Sequence, residues 1–120
     1  MPHIHVEYSD NIQNLDPKPL LLALNQSFLA QGYIKAIEEV KSRAICQHDF
    51  LIGDDIAQQH GYLHAKVSLL TGRSPKLQQQ ISQHVLSILQ QHVAKQGLVS
   101  LQLCVEILEM PRDSYSKVTL

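Results

Sequence analysis

Two dipeptides, Asp16-Pro17 and Ser74-Pro75, constrain the fold of this chain more than any other feature in it. In each, a short oxygen-bearing side chain can accept from the first free amides of a helix. The proline that follows has the φ needed at the first helical position and lacks the amide that this position leaves unpaired. Behind each pair runs an apolar series at helical spacing: Leu20, Leu21, Leu24 and Phe28 after the first, Leu77, Ile81, Val85, Ile88, Leu89 and Val93 after the second. Gly32 and Gly97 are placed to close the two helices.

Strands surround these helices. Residues 2 to 8 alternate Pro2, Ile4, Val6 and Tyr8 against His3, His5 and Glu7, and Ser9-Asp10-Asn11 ends the run. β-Branched residues in the latter part of Ala36 to Cys46 favour a second strand, Tyr62 to Leu70 reads as a third and Val99 to Leu108 as a fourth, stopped by Pro111. Gln47 to Gly61 is a connection, with a short helical turn expected around Ile56 to His60. The order strand, helix, strand therefore occurs twice, and residues 1–120 read as one α+β domain of βαββαβ topology. Right-handed crossovers put both helices on one face of a four-stranded sheet. The uncovered face is expected to carry apolar residues and to be buried against copies of the chain. The end Val118-Thr119-Leu120 either adds to a neighbouring sheet edge or frays.

Charge narrows the partners. Ten Lys plus Arg against eleven Asp plus Glu give a net charge of -1, so no general field attracts nucleic acid or an anionic membrane. Six aromatics without a stacking pair on a central strand disfavour an RNA-binding module of the same topology. No apolar stretch approaches a membrane span, and a cytoplasmic protein is expected. Cys46 and Cys104 form no CxxC pair and are expected to be buried free thiols.

The opening Met1-Pro2 carries the chemistry. Cytosolic processing that removes Met1 would leave Pro2 as a free secondary amine, held at the start of a strand where most chain ends fray. Such an amine acts as a base near neutrality only if burial or nearby positive charge keeps it deprotonated. The candidate cations are Lys41, Arg43 and Arg73, and they would also bind substrate carboxylates and stabilise charge that develops beside a carbonyl. Arg73, in the turn Gly72-Arg73-Ser74, lies beside a helix amino terminus that itself favours anions.

Met1-Pro2-His3-Ile4-His5-Val6-Glu7-Tyr8-Ser9-Asp10-Asn11, Lys41-Ser42-Arg43 and Gly72-Arg73-Ser74 together resemble the 5-carboxymethyl-2-hydroxymuconate isomerases of the tautomerase superfamily. The resemblance implies a homotrimer of βαββαβ subunits whose sheets face inward. It also implies a cofactor-free enol-to-keto double-bond shift in a muconate-derived tricarboxylate during homoprotocatechuate (4-hydroxyphenylacetate) breakdown. By that resemblance Pro2 shuttles the proton and Arg73 binds a carboxylate. Lys41 departs from the arginine of related sequences; it keeps the charge but cannot grip a carboxylate through two parallel hydrogen bonds, a role open to Arg43. No metal and no cofactor are expected, and the partner is a small carboxylate substrate. The alternative is a non-catalytic oligomeric protein that binds a small carboxylate on the same scaffold.

Other residues receive structural readings. His3 and His5 share a strand face at a spacing able to bind a metal with His64 nearby, but paired or solvent-facing histidines are favoured. A position for His3 beside Pro2, acting through it, stays open. Glu7 reads as a plain cross-strand pair rather than a group that orients a water or meets a cation, and His84 and His92 as helix-surface residues. Phe50 and Tyr62 either cover the pocket or pack in the core, and Cys46 with His48 is not read as a dyad.

Overall fold

The computed structural model describes residues 1–97 and 99–120. Strand β1 (His3–Ser9) leads into helix α1 (Pro17–Ala30), and a single 3-10 turn at Ile37–Glu39 precedes strand β2 (Lys41–Gln47). The second half repeats the order with β3 (His60–Leu70), α2 (Pro75–His92) and β4 (Ser100–Met110). The four strands lie in the order β2-β1-β3-β4, with β1/β2 and β3/β4 parallel and the two inner strands antiparallel.

Both helices start where cap chemistry places them. Asp16 Oδ1 accepts from the Lys18 amide at 3.3 Å, and Ser74 Oγ accepts from the Leu77 amide at 3.1 Å. Helix α1 closes on Gly32 at φ +75: the Tyr33 amide donates to Phe28 O at 2.9 Å and the Gly32 amide to Leu29 O at 3.1 Å, the paired bonds of a Schellman motif. Helix α2 ends differently from the expectation. It stops at His92 with Val93 as its cap, four residues before Gly97, because Val93 is drawn into the core and Gln96 hooks onto both the amide and the carbonyl of Gln13.

The core is one layer between sheet and helices. Leu20, Leu24 and Phe28 on α1 and Ile81, Val85 and Leu89 on α2 are buried at a spacing of four. They meet Ile4 and Val6 of β1 and Leu63, Ala65, Val67 and Leu69 of β3. Each such side chain contributes roughly 1.5–3 kcal/mol on burial.

The uncovered face differs from the apolar surface expected. Alternation in β1, β2 and β3 turns His3, His5, Glu7, Lys41, Arg43, Tyr62, His64, Lys66 and Ser68 outward, among fewer apolar residues such as Ile45 and Leu108. Lys66 lies 3.9 Å from Glu7 and His64 donates to Glu106 at 2.9 Å. The same alternation exposes Cys104 and leaves Cys46 half-buried, so the two free thiols are not buried as expected. From Gln47 to Gly61 the chain makes successive turns at Ile52–Asp55 and Asp55–Gln58 in place of the expected helical turn. Gln58 there adopts φ +54, and the Asp55 carboxylate ties the end of the connection by accepting from the His60 amide at 2.8 Å. No described helix is long and apolar enough to cross a membrane.

Candidate active site

Antiparallel pairing of β1 with β3 brings the beginning of the chain to the end of β3, because His3 pairs with Ser68. The Lys41 amide donates to Pro2 O at 3.1 Å, which ties the same point to the start of β2, and the Pro2 ring is buried. Arg73, two residues beyond the Thr71 that follows β3, leans back over this end. One guanidinium nitrogen donates to Leu70 O and the other to Tyr33 O, each at 3.4 Å. The guanidinium is thus oriented by carbonyls from both halves of the molecule. The Tyr33 ring is itself held edge-on to Phe28 and His84, at 5.4 and 5.9 Å between centroids.

The amine that opens the chain belongs to Met1, and its surroundings hold its pKa below the ordinary 8.0. Partial burial is the largest cause, followed by the positive charge of Arg73; Lys117 and Lys41 act in the same direction, while Glu39 opposes them. The base form is therefore populated at lower pH than for a free chain end. Of the expected residues, Pro2, Arg73 and Lys41 come together here, and Glu39 and Lys117 join them without having been singled out from the sequence. Glu39 reaches the site through the 3-10 turn, where its carboxylate also accepts from the Ala36 amide at 3.1 Å.

Arg43 is engaged elsewhere. Strand alternation puts it on the uncovered face beside His5, its register partner, where one guanidinium nitrogen donates to His5 Nε2 at 2.9 Å and the other to His3 Nδ1 at 2.8 Å. Both imidazoles must be neutral to accept these bonds. Burial, then the Arg43 charge, pushes both histidines below their ordinary 6.5. With Nδ1 accepting, His3 Nε2 carries the proton and donates to the Tyr115 hydroxyl at 3.1 Å.

Among the described residues no group of three His, Cys, Asp or Glu side chains could hold a metal ion. His84 is not the helix-surface residue expected: its ring packs on Tyr33 and its Nε2 is buried without a partner, whereas His92 is exposed. Cys46 lies beside Tyr8, and His48 pairs instead with Asp10 at 3.0 Å. Phe50 and Tyr62 pack edge-on at 6.0 Å, at the start of β3 and so at the end of the sheet remote from Pro2. A cleft of about 500 Å³ also opens at that remote end, lined by Val93, Lys95, Gln96, Leu101 and Leu103 among others. It contains neither the amine nor Arg73, so charge and chemistry point to the opposite end.

Comparison with known proteins places the fold. A solved structure from Deinococcus radiodurans R1, a 5-carboxymethyl-2-hydroxymuconate isomerase, superposes with a TM-score of 0.89 at 24% identity, covering 99% of this chain and 90% of that one. A 5-carboxymethyl-2-hydroxymuconate delta-isomerase gives 0.76 at 18% identity, over 99% and 88% of the two chains. A fused 4-OT wild type described as a symmetric trimer gives 0.72 at 12% identity, over 96% and 90%. A search of curated proteins returned no match. At the level of sequence the model for 5-carboxymethyl-2-hydroxymuconate isomerase matches residues 2–119, nearly the whole chain and all of the segments that converge on the amine. The chain accordingly belongs to the 5-carboxymethyl-2-hydroxymuconate isomerase family, and it is an isomerase of the tautomerase type.

Proposed function

We propose that this isomerase shifts a proton and a double bond in a muconate-type polycarboxylate, in the manner of a 5-carboxymethyl-2-hydroxymuconate delta-isomerase of homoprotocatechuate catabolism. Pro2 is its general base and acid after removal of Met1. A 2-hydroxymuconate is a dienol. Loss of the hydroxyl proton, movement of the conjugated double bonds and gain of a proton at the far carbon of the diene give an α,β-unsaturated ketone with no change in atoms or electrons. The step needs one group that accepts a proton and returns it elsewhere, together with cations that hold carboxylates and offset the enolate charge.

The observation that carries this reading is an amine whose pKa is held down by partial burial and by the charges of Arg73, Lys117 and Lys41. With Met1 in place the Pro2 nitrogen is an amide and has no basicity. Its removal would leave a more basic secondary amine one residue further in, beside the same charges. Arg73, already oriented by two carbonyls, is the natural carboxylate ligand, with Lys41 as a single-point second. Arg43 contributes indirectly, through His3. We place the enzyme in the cytoplasm as a homotrimer, a state supported by the symmetric trimer of the fused 4-OT relative.

The test is turnover of 5-carboxymethyl-2-hydroxymuconate by protein whose mature amino terminus has been established by mass spectrometry. Pro2→Ala, or an added residue that blocks the amine, is expected to lower kcat by about a hundredfold or more while the protein stays folded. Equal turnover with the amine blocked would overturn the role of Pro2, whereas no turnover by protein with a free Pro2 amine would leave a carboxylate-binding protein in place of a catalyst.

A further inference from the structure

The chain after β4 does not trail away. Pro111 ends the strand, the 3-10 turn Arg112–Ser114 redirects the backbone, and the following residues return across the end of the sheet where the amine lies. Two side chains pin this return. Arg112 Nε donates to Thr71 O at 2.7 Å, and its guanidinium lies over Gly72, only 3.4 Å from where a Cβ at that position would stand. Gly72 at φ +123 supplies the backbone conformation the turn needs. Tyr115, half-buried, accepts from His3 Nε2 at 3.1 Å and meets the imidazole edge-on at 6.2 Å between centroids. One anchor is thus on the turn that carries Arg73, and the other is on the residue that follows Pro2. An exposed chain end without such ties frays.

We propose that Pro111 to Lys117 form a strap that completes the anion site, and that Lys117 is its specificity-determining residue, binding the third carboxylate of a tricarboxylate substrate. This inference rests on the polycarboxylate reading above. Arg73 and Lys41 can meet two carboxylates; a third needs another cation, and Glu39, on the same site, opposes any anion that lacks one. Lys117 lies two residues beyond the Tyr115 anchor and close enough to the opening amine to act on its charge. Arg112 and Tyr115 are positioning residues, which hold the lysine without touching substrate.

Binding tests the strap separately from catalysis. Calorimetry with trans-aconitate, a tricarboxylate, and cis,cis-muconate, a dicarboxylate, compares the wild type with Lys117→Met and Lys117→Arg. Lys117→Met is expected to weaken aconitate by about tenfold and muconate by less than about twofold, the loss of one charge-assisted hydrogen bond. Lys117→Arg should restore most of the difference. Releasing the strap with Arg112→Ala and Tyr115→Phe together should reproduce the aconitate loss, and adding Lys117→Met should then change little. Lys95→Gln, at the remote end, serves as the surface control. Unchanged aconitate affinity in Lys117→Met, equal losses for both ligands, a strap variant that binds normally, or a wild type that does not bind aconitate would each overturn the proposal. Lys117-dependent binding by a protein with no amine-dependent turnover would instead overturn the catalytic reading and leave the strap standing.

Discussion

The two ends of the sheet differ in what they offer a ligand. The end that holds Phe50, Tyr62 and the cleft beside Val93 and Leu103 has the volume, but the neighbouring polar groups are occupied with one another: Gln96 with Gln13, Asn11 with His60 O, Asp55 with His60. At the end that holds Pro2 an amine, Arg73, Lys41, Lys117 and Glu39 converge from four separate stretches of the chain. Shape alone would select the other end. Convergent charge around a titratable nitrogen is the better guide, because moving a proton next to a carbonyl needs electrostatic stabilisation more than enclosure.

Four changes, beyond those on Pro2 and Lys117, sharpen this contrast. The largest effect is expected for Arg73→Ala at the charged end: kcat/KM for the muconate substrate should fall by about a hundredfold, the usual consequence of removing an oriented guanidinium from a carboxylate. Steady-state kinetics that returned a value near wild type would move carboxylate binding away from Arg73. At the remote end Gly61→Ala should act on stability alone. The new Cβ would lie 3.1 Å from Asn11 Oδ1 and 3.2 Å from Ser9 Oγ. Neither can yield freely, since Asn11 donates to His60 O at 2.8 Å and the buried Ser9 hydroxyl accepts from the Tyr62 amide at 3.0 Å. Denaturant melts should show a loss of about 1–3 kcal/mol, with turnover per folded molecule retained.

The smallest effect concerns the amine itself. Glu39 favours its protonated form, so Glu39→Gln, which keeps an acceptor for the Ala36 amide, should lower the amine pKa. Lys41→Met should raise it. With the base form as the proposed active one, the rise of kcat/KM with pH is expected to shift to lower pH in the first variant and to higher pH in the second. A titration in which both variants moved the same way would show that burial, not charge, sets the amine's basicity.

The same electrostatics make a stability statement at the uncovered face. His3 and His5 are held below 6.5 by burial and by Arg43, so the unfolded chain binds protons more readily than the folded one as pH falls through that value. The stability these neutral rings contribute is present above pH 6.5 and is lost on acidification toward their depressed folded pKa values. Protonation would also remove the acceptors that hold Arg43 and add positive charge beside Lys41 and Lys66.

Much of the scaffold was legible before any coordinates. Asp16-Pro17 and Ser74-Pro75 start helices where expected, and Gly32 closes the first, because caps and glycine turns act over four or five residues. Gly97 misled for the same reason: the burial of Val93 and the hook of Gln96 on Gln13, more than eighty positions away in sequence, decide where α2 stops. The apolar face expected behind the sheet is a network of histidines and charges, since alternation tells which residues share a face and leaves open how many of them are polar enough to pair across strands. Lys117 carried no local signal at all. A lysine in a polar tail becomes part of a site only when Arg112 and Tyr115 find partners on β1 and on the turn after β3.

By itself the sequence determined the order of elements, the two helix starts and a proline next to the opening methionine, all of them properties of neighbours along the chain. Tertiary structure decided which charges reach the amine. Lys41 and Arg43 are two residues apart on one strand face, roughly 7 Å along it, and that offset is enough to put the first at the amine and the second between two imidazoles. Register and chain return set that choice, and both arise from pairings between distant segments that local patterns do not encode.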